Sequence, residues 1–312
     1  MIAHIIRRIA LMIPNVILLT FLLFASVATL LGSPAAMMLG QEASPEAIRE
    51  INERYGFDRP VVVQYLDWVG NALSGDFGRS YTTQQAVADA VLPRIPVTLE
   101  LAFWAIVLAI LGAAILNSIP AWPRTLGGLS STLSIIGITV PNFMIGIVLI
   151  YLLSVELRWL PTTGWVPWSE GALAHMTHLL MPVVTLAAFY FGSFSLVYRA
   201  EYRAVSRQLF VKVARAKGLS EGRVSFVHAL PNSILPVITY AGLSLGQLIG
   251  GAVVTETVFS IPGLGRLFVE SIAAHDFPVM LAIGMIIVVG VMLMNLVADV
   301  TYTLINPQIR LD

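Results

Sequence analysis

Six stretches of this chain contain no Asp, Glu, Lys or Arg for at least 22 consecutive residues. A helix rises about 1.5 Å per residue, so about 20 apolar residues are enough to cross the hydrocarbon core of a bilayer. Backbone groups in lipid must form their hydrogen bonds within the segment, which favours a helix for each stretch. The sequence therefore predicts an all-α polytopic membrane protein with six transmembrane helices, near residues 9–31, 98–119, 129–154, 178–198, 233–256 and 279–303.

The overall composition agrees with a membrane protein and excludes several other classes. Hydrophobic residues make up 57% of the 312 residues and charged residues only 12%, half of the ~25% found in soluble domains. The formal net charge is zero, which gives no reason to expect a nucleic-acid partner. The chain has no cysteine, so disulfides, thiolate metal sites and cysteine nucleophiles are excluded.

The five histidines do not have the spacing of a metal site. His175 and His178 lie three residues apart and could share a helix face, but no carboxylate accompanies them at ligand spacing. We interpret both as polar residues at the membrane interface, and we predict no metal site and no catalytic residue in the chain.

The first apolar stretch follows Arg7 and Arg8, as the apolar region of a signal peptide follows positive charges. The run from Ile9 to Leu31 is longer than the roughly 7–15 residues of such a region, and no small-residue cleavage site follows it cleanly. We therefore expect a retained first transmembrane helix.

The distribution of Lys and Arg predicts the orientation in the membrane. The segments expected on the inner side are 1–8, 120–128, 199–232 and the C-terminal tail, and they contain 11 of the 18 Lys and Arg residues. The two short outer loops contain only Arg158 and Arg266. Positive residues favour the cytoplasmic side, so both termini are expected in the cytoplasm.

The long outer segment, residues 42–96, is polar enough to fold in water. Ser-Pro-Glu at 44–46 has the pattern of a helix start, and Gly56 is placed to end that helix. A second amphipathic helix is expected at 61–73, followed by a turn at 75–78. Two interpretations are open: a cap over the outer mouth that contacts a delivery protein, or a surface lid without a specific contact.

The inner segment 199–231 is strongly basic, with seven Lys and Arg residues against two Glu. One interpretation is the ordinary excess of positive charge on the cytoplasmic side, together with binding to lipid headgroups. The other is a surface that binds a soluble partner, and the helical pattern of the segment favours it.

Two short helices are expected in this segment. The apolar positions of the first helix, at 202–216, are Val205, Leu209, Val213 and Ala216. Gly218 interrupts the pattern, and the second helix is expected to start at Ser220, to run through Ala229 and to end at Leu230-Pro231. Two helices that meet at a glycine would form a compact knob that can seat in a cleft of a soluble partner and transmit a push.

This pattern resembles the EAA loop of ABC importer permeases, in which a glycine is followed at a fixed distance by a Leu-Pro pair. Gly218, Leu230 and Pro231 occupy those positions, and Ala214 matches the last alanine of the triplet that gives the loop its name. Lys-Val at 212–213 replaces the Glu and first Ala of the triplet, as is common in the dipeptide/oligopeptide branch.

The resemblance to this branch covers nearly the whole chain. The segments that carry it are RRIALMIP (7–14), SPEAIREINERYGFDRPVVVQYLDWVGNALSGDFGRS (44–80), PVTLELA (96–102), LRWLPTTG (157–164), GGAVVTETVFSIPGLGR (250–266) and NLVADVTYTLINPQIR (295–310). The chain departs from it at 32–34, where Gly-Ser-Pro replaces Gly-Asp-Pro, and in the weakly charged loop 121–127. We identify the chain as a member of the dipeptide/oligopeptide ABC importer permease family.

The resemblance implies the fold and the activity. It implies the type-1 importer transmembrane fold over 95–305, preceded at 1–94 by an extra transmembrane helix and a periplasmic amphipathic segment, and followed by a cytoplasmic tail at 306–312. It implies a permease subunit in the bacterial inner membrane that forms a path for di- or oligopeptides. Nickel chelates, glutathione and oligosaccharides are alternative cargoes, because close relatives of this branch carry them.

The resemblance also implies the partners. These are a second homologous permease subunit, two ATPase subunits that bind ATP and Mg, a periplasmic or lipid-anchored substrate-binding protein, and membrane lipids. No cofactor is expected in this chain, which lacks the G-x-x-x-x-G-K-[ST] phosphate loop. The residues expected to dock the ATPase subunits are Lys212, Val213, Ala214, Arg215, Lys217, Gly218, Leu219, Ser220, His228, Leu230 and Pro231.

Ionisable residues within spans are costly and often functional. Glu256 precedes a Gly/Pro-rich run at 257–265, which we interpret as a partly re-entrant loop that lines the outer cavity; alternatively, Glu256 lies at the water interface. Glu100 and Asp299 are expected near membrane interfaces. The translocation path and outer gate are predicted at Asn142, Glu256, Phe259, Pro262, Gly263 and Gly265.

Small residues and prolines predict how the spans pack. Gly242, Gly246 and Gly250 recur every four residues, which permits close helix contact within the subunit or across a dimer interface. Pro141 and Pro182 are expected to kink the third and fourth spans.

Two rival functions are disfavoured. The residues at 242–246 match the hydrolase pattern G-x-S-x-G, but they lie within an apolar helix and the following span contains no His. An ion-coupled secondary transporter would show paired carboxylates at the membrane midplane and an inverted repeat, and neither is visible.

Overall fold

The computed structural model describes residues 2–30, 44–119 and 124–305, together with Ala35 and Leu39. Its helices are α1 (Ile2–Leu30), α2 (Pro45–Tyr55), α3 (Val61–Leu73), α4 (Val87–Val91), α5 (Ile95–Ser118), α6 (Arg124–Thr139), α7 (Asn142–Leu149), α8 (Ala172–Ser206), α9 (Leu209–Ala216), α10 (Glu221–Arg223), α11 (Leu230–Ser233), α12 (Leu235–Val258), α13 (Leu264–Ala273) and α14 (Phe277–Ile305). Two π-helical segments, Ile150–Glu156 and Val224–Ala229, follow α7 and α10. The all-α prediction is confirmed, and the predicted tail at 306–312 lies outside the described residues.

Five helices in the described part of the chain are long and apolar enough to cross a membrane. They are Ala10–Thr29, Val87–Ser118, Ala172–Ser206, Leu235–Val258 and Phe277–Ala298. The sixth candidate is a pair of helices, Ser130–Thr139 and Asn142–Glu156, bent by 115° at the break between them. By length and composition the prediction of six spans therefore holds, provided that the bent pair counts as one span.

The third span bends at Pro141 as predicted, but the bend of 115° is sharper than that of a kinked continuous helix, because the helix is interrupted there. Pro141 has no N–H to donate, and its ring disfavours helical backbone at Val140. Both residues lie outside the helices, and α7 starts again at Asn142. Pro182, in contrast, lies inside the continuous helix α8.

The first of two compact units consists of Met1–Thr98 and Pro262–Leu293. The predicted start and end of α2 are confirmed: the Ser44 hydroxyl accepts a hydrogen bond from the N–H of Ala47 at 3.2 Å, and Gly56 has a left-handed φ of 71°. The predicted helix α3 is also confirmed, and its Tyr65 packs with Phe24 of α1 and Phe277 of α14 in one buried cluster. Aromatic and aliphatic packing therefore holds the polar segment against the apolar helices of this unit.

Asp276 anchors the polar segment to the start of α14. Its side chain is 4% exposed and accepts hydrogen bonds from the Ser80 hydroxyl and, at 3.1 Å, from the N–H of Tyr81. Burial, reinforced by the neighbouring Asp276 carboxylate, raises the pKa of the Tyr81 phenol well above its ordinary value, so Tyr81 stays protonated. The carboxylate thus replaces water as the hydrogen-bond partner of two groups of the segment.

We expect Asp276→Ala to accelerate tryptic cleavage after Arg79 at least ~5-fold, because each polar group left without its partner costs about 1–3 kcal/mol. Limited proteolysis of the purified protein measures this local opening. Asp58→Ala, which removes an exposed carboxylate from the same segment, is the control. Equal cleavage rates for the two variants would contradict the anchoring role.

The second compact unit consists of Leu99–Ile261 and Met294–Asp312, and α8 packs within it against α6, α7 and α12. Two glycines allow a very close approach of α6 and α8. A Cβ atom at Gly137 would lie 2.2 Å from the carbonyl oxygen of Ala188, and one at Gly192 would lie 2.5 Å from that of Ser134. Backbone lies against backbone at this crossing, and side chains larger than hydrogen do not fit.

Candidate functional site

The segment between α8 and α12 forms a helical elbow, which we define as residues 207–233. Helix α8 ends at Ser206, Gln208 has extended backbone, and α9 starts at Leu209. The prediction of one helix over 202–216 is therefore wrong. Gly218 has a left-handed φ of 77°, which only glycine adopts readily, and it turns the chain between the two arms of the elbow.

The second arm starts as predicted but does not end as predicted. The Ser220 hydroxyl accepts a hydrogen bond from the N–H of Arg223, and helical structure continues from Glu221 through Ser233. Leu230-Pro231 therefore does not end the helix, and Pro231 lies at the start of α11, directly after the π-helical segment. The bend comes at Ile234, just before Pro236 in the first turn of α12.

The two arms and the end of α8 enclose a small core. Its buried residues are Val205, Val211, Ala214, Val224 and Ala229. The predicted apolar face of the first arm is thus wrong in phase: Leu209 is 76% exposed and Val213 43% exposed. The interruption at residues 207–208 turns α9 relative to α8, so these two side chains point away from the core.

The predicted docking residues are consequently mostly at the surface. Lys212, Val213, Arg215, Lys217, Gly218, Ser220 and Pro231 are exposed, whereas Leu219, His228 and Leu230 are half-buried and Ala214 is buried. The Arg215 guanidinium donates two hydrogen bonds to the Glu221 carboxylate, at 2.9 and 3.2 Å, and this pair joins the two arms. Exposed Leu209, Phe210 and Val213 form a short apolar strip on α9.

Two of the predicted path residues of the second unit, Glu256 and Phe259, lie at the end of α12. The interpretation of Glu256 as a residue at the water interface is wrong, because its exposure is 0%. Phe259 is 1% exposed; its carbonyl accepts from the N–H of Gly164 at 2.9 Å, and its ring would lie 3.1 Å from a Cβ atom added at Gly146. Asn142 is half-buried at the start of α7.

The other predicted path residues belong to the first unit. Pro262 and Gly263 precede α13 and Gly265 lies in its first turn, where the N–H of Leu264 donates to the Thr98 hydroxyl at 2.9 Å. The run 257–265 is not a continuous helix, as predicted, because residues 259–263 separate α12 from α13. A role for any of these residues in gating stays a prediction.

Comparison with known proteins then decides the family. The family described as binding-protein-dependent transport system inner membrane component matches residues 105–311, and the N-terminal domain that accompanies it matches residues 1–102. The chain belongs to this family. It is therefore a multi-pass inner-membrane permease of a binding-protein-dependent ABC importer.

Two individual relatives match this chain over nearly its whole length. A Brucella abortus (strain 2308) protein named as a peptide transport system permease is 37% identical to the permease over 319 residues, with 100% of both chains covered. The glutathione transport system permease protein GsiC of Escherichia coli (strain K12) is 37% identical over 315 residues, with 99% of both chains covered. The crystal structure of an amino acid ABC transporter with histidines covers 71% of the permease and 94% of its own chain, at 15% identity and a TM-score of 0.49.

The predicted packing glycines of the permease have different surroundings. A Cβ at Gly242 would lie 3.0 Å from the Cβ of Ala298, so α12 and α14 are in close contact there. Gly246 is buried, whereas Gly250 is exposed and a Cβ there would meet no heavy atom within 4 Å in the described chain. Contact of Gly250 with another subunit stays a prediction.

Sequence reasoning missed a contact in the permease between buried His175 and half-buried Glu100. His175 was expected at the membrane interface, but it is 1% exposed. One ring nitrogen lies 2.7 Å from the Val166 carbonyl oxygen and the other 3.1 Å from Oε1 of Glu100, which also accepts from the Trp168 indole at 2.7 Å. The only sequence signal was a lone Glu at the start of one apolar stretch and a His at the start of another.

Proposed function

We propose that this permease takes peptides into the cell and that separate ATPase subunits drive it by gripping the elbow. The observation that carries the proposal is the apolar strip of Leu209, Phe210 and Val213, exposed on a short helix whose other face packs in the core of the elbow. Exposed apolar side chains on an ordered helix can seat in a hydrophobic groove of a partner.

Charge supports a soluble partner on this surface. Lys212 and Lys217 are exposed beside the strip, whereas Arg215 is already paired with Glu221. A groove with an apolar floor and acidic rim would complement this pattern. The Lys and Arg distribution along the chain supports a cytoplasmic position for the elbow and both termini, on the side where ATP is available.

The assembly that fits this arrangement contains four further proteins. A second, homologous permease subunit completes the path, two ATPase subunits bind ATP and Mg, and a substrate-binding protein delivers the cargo. We propose that closure of the ATPase subunits pushes on the elbow and moves the spans between two states. The permease itself holds no cofactor in this scheme.

Peptides are the cargo that the relatives favour, since one is named for peptides and the other for glutathione. Glutathione is itself a tripeptide, so both names fit a path for short peptides. Uptake of radiolabelled trialanine and of glutathione into proteoliposomes that contain the full assembly would separate the two. If neither compound is taken up, the proposal of a peptide cargo is rejected.

Co-purification tests the docking surface. We expect Leu209→Glu to lower retention of the ATPase subunits at least ~10-fold, as for a central apolar contact of an interface. Gly218→Pro should have a similar effect, because proline requires a φ near −65°. Leu173→Glu, which changes another exposed leucine at the opposite end of α8, is the control and should retain the subunits. Retention at the wild-type level by both elbow variants would reject docking at the elbow.

A further inference from the structure

The elbow is hydrogen-bonded to the end of a spanning helix. Ser118 is the last residue of α5, and the carbonyl groups of a final helical turn have no partner within the helix. The Ser225 hydroxyl, on the π-helical segment of the elbow, donates to the Ser118 carbonyl oxygen. Both serines are 1% exposed, so water does not compete for this bond. The elbow thus supplies the cap of α5.

Two tyrosines one helical turn apart on α8 complete this contact. The Ser225 hydroxyl has one proton, which it gives to the Ser118 carbonyl, so the Tyr202 hydroxyl at 2.7 Å donates to Ser225. The Ser118 side chain is hydrogen-bonded in turn to the fully buried Tyr198 hydroxyl, and the two tyrosine rings are stacked with centroids 5.8 Å apart. A directed chain therefore runs from Tyr202 through Ser225 to Ser118.

The residue before Ser118 extends the contact to other spans. The Asn117 amide donates to the Ser195 hydroxyl of α8 at 3.2 Å and accepts from the Ser130 hydroxyl of α6 at 2.8 Å. The end of α5 is therefore tied at one side to the elbow and at the other to two helices of the bundle. A displacement of the elbow must carry this helix end with it or break buried hydrogen bonds, which is costly in a low-dielectric interior.

We propose that Ser225 and Tyr202 are positioning residues that transmit movement of the elbow to α5 and through it to the transmembrane bundle. The inference rests on the proposed function, since it takes the elbow as the place where the ATPase subunits push. Neither residue belongs to the exposed strip that would contact those subunits: Ser225 is buried and Tyr202 packs against the core of the elbow. Variants of Ser225 and Tyr202 can therefore test the transmission of movement without changing the surface that docks the ATPase subunits.

The experiment uses the full assembly in proteoliposomes, with radiolabelled trialanine and glutathione as probes. For Ser225→Ala and Tyr202→Phe we expect retention of the ATPase subunits within about 2-fold of wild type and a fall of at least ~5-fold in peptide transported per ATP hydrolysed, the lower end of typical coupling between sites. The double variant should be no worse than Ser225→Ala alone, because both changes break one chain of bonds.

Ser233→Ala is the matched control. Ser233 lies on the same arm of the elbow and is 0% exposed, and its hydroxyl donates to the carbonyl oxygen of Ala229, one helical turn earlier on that arm, at 2.8 Å. We expect wild-type transport per ATP from this variant. A similar loss for Ser233→Ala and Ser225→Ala would overturn the inference. The loss would then follow from removing any buried hydroxyl of the elbow and not from breaking the hydrogen bond to Ser118.

Three other outcomes would each overturn the inference. Wild-type transport per ATP in both Ser225→Ala and Tyr202→Phe would overturn the inference and leave the proposed function standing. Loss of the ATPase subunits from these variants would place the residues in docking and overturn it as well. If the wild-type assembly retains no ATPase subunits or takes up neither peptide, the proposed function fails and the inference fails with it.

Discussion

Gly137→Ala is expected to lower the stability of the permease by about 1–3 kcal/mol or more, the usual cost of adding a methylene group to a filled interior. The new methyl group would lie 2.2 Å from the carbonyl oxygen of Ala188, and this neighbour is backbone that cannot rotate away. Helices α6 and α8 would have to separate along their contact. Gly192→Ala should behave in the same way, since its Cβ would lie 2.5 Å from the Ser134 carbonyl oxygen.

Gly250→Ala is the control for this prediction. It makes the same change within α12, where the Cβ would meet no heavy atom within 4 Å in the described chain. Alanine costs less backbone entropy than glycine in a helix, by about 0.5–1 kcal/mol, so the control should be unchanged or slightly more stable. The midpoint of thermal unfolding in detergent measures all three variants. A midpoint for Gly137→Ala equal to that of Gly250→Ala would show that the crossing is looser than described.

The second large effect is expected for Glu100→Ala, which should lower the free energy of unfolding by about 1–3 kcal/mol, because the buried His175 ring loses the hydrogen-bond partner of one ring nitrogen. The exposed Trp168 indole N–H also loses its acceptor, which adds a smaller cost because water can replace the carboxylate there. The Trp168 and His175 rings also stack, with centroids 4.0 Å apart, so the loss of the carboxylate would release the loop before α8.

Two further variants make this test sharper. Glu100→Gln keeps an acceptor oxygen for Trp168 and should recover part of the stability. Glu170→Ala removes an exposed carboxylate from the same loop and should leave the unfolding midpoint unchanged. The interpretation fails if Glu100→Ala and Glu170→Ala unfold at the same temperature.

Local rules predicted much of the fold. Charge-free length alone located the spans, and the helix start at Ser44 and the helix end at Gly56 followed from cap chemistry within a few residues. Such signals are local, so no knowledge of the tertiary structure was needed. The elbow was also located from sequence, by its glycine and by the resemblance of the segment to a known loop.

The failures have a common physical origin in tertiary contacts. The phase of α9 was wrong because two non-helical residues at 207–208 turn the helix, and no strong breaker marks them. The sequence left open whether water or protein surrounds the Glu256 side chain, because the apolar residues at a helix end do not show what packs against it. Glu100 and His175 are 75 residues apart, and only the packing of α5 against the loop before α8 brings them together.

The pairing of Gly137 with Gly192 has a mechanical consequence. Sliding α8 by one turn would bring Ala188 or Leu196 to the place of Gly192, and neither side chain fits against the backbone there. Helices α6 and α8 must therefore move together as a rigid pair whenever the permease changes from one state to the other. Any change between states has to bend the chain elsewhere, and the nearest break in the helical backbone is at Val140–Pro141, where the third span turns by 115°.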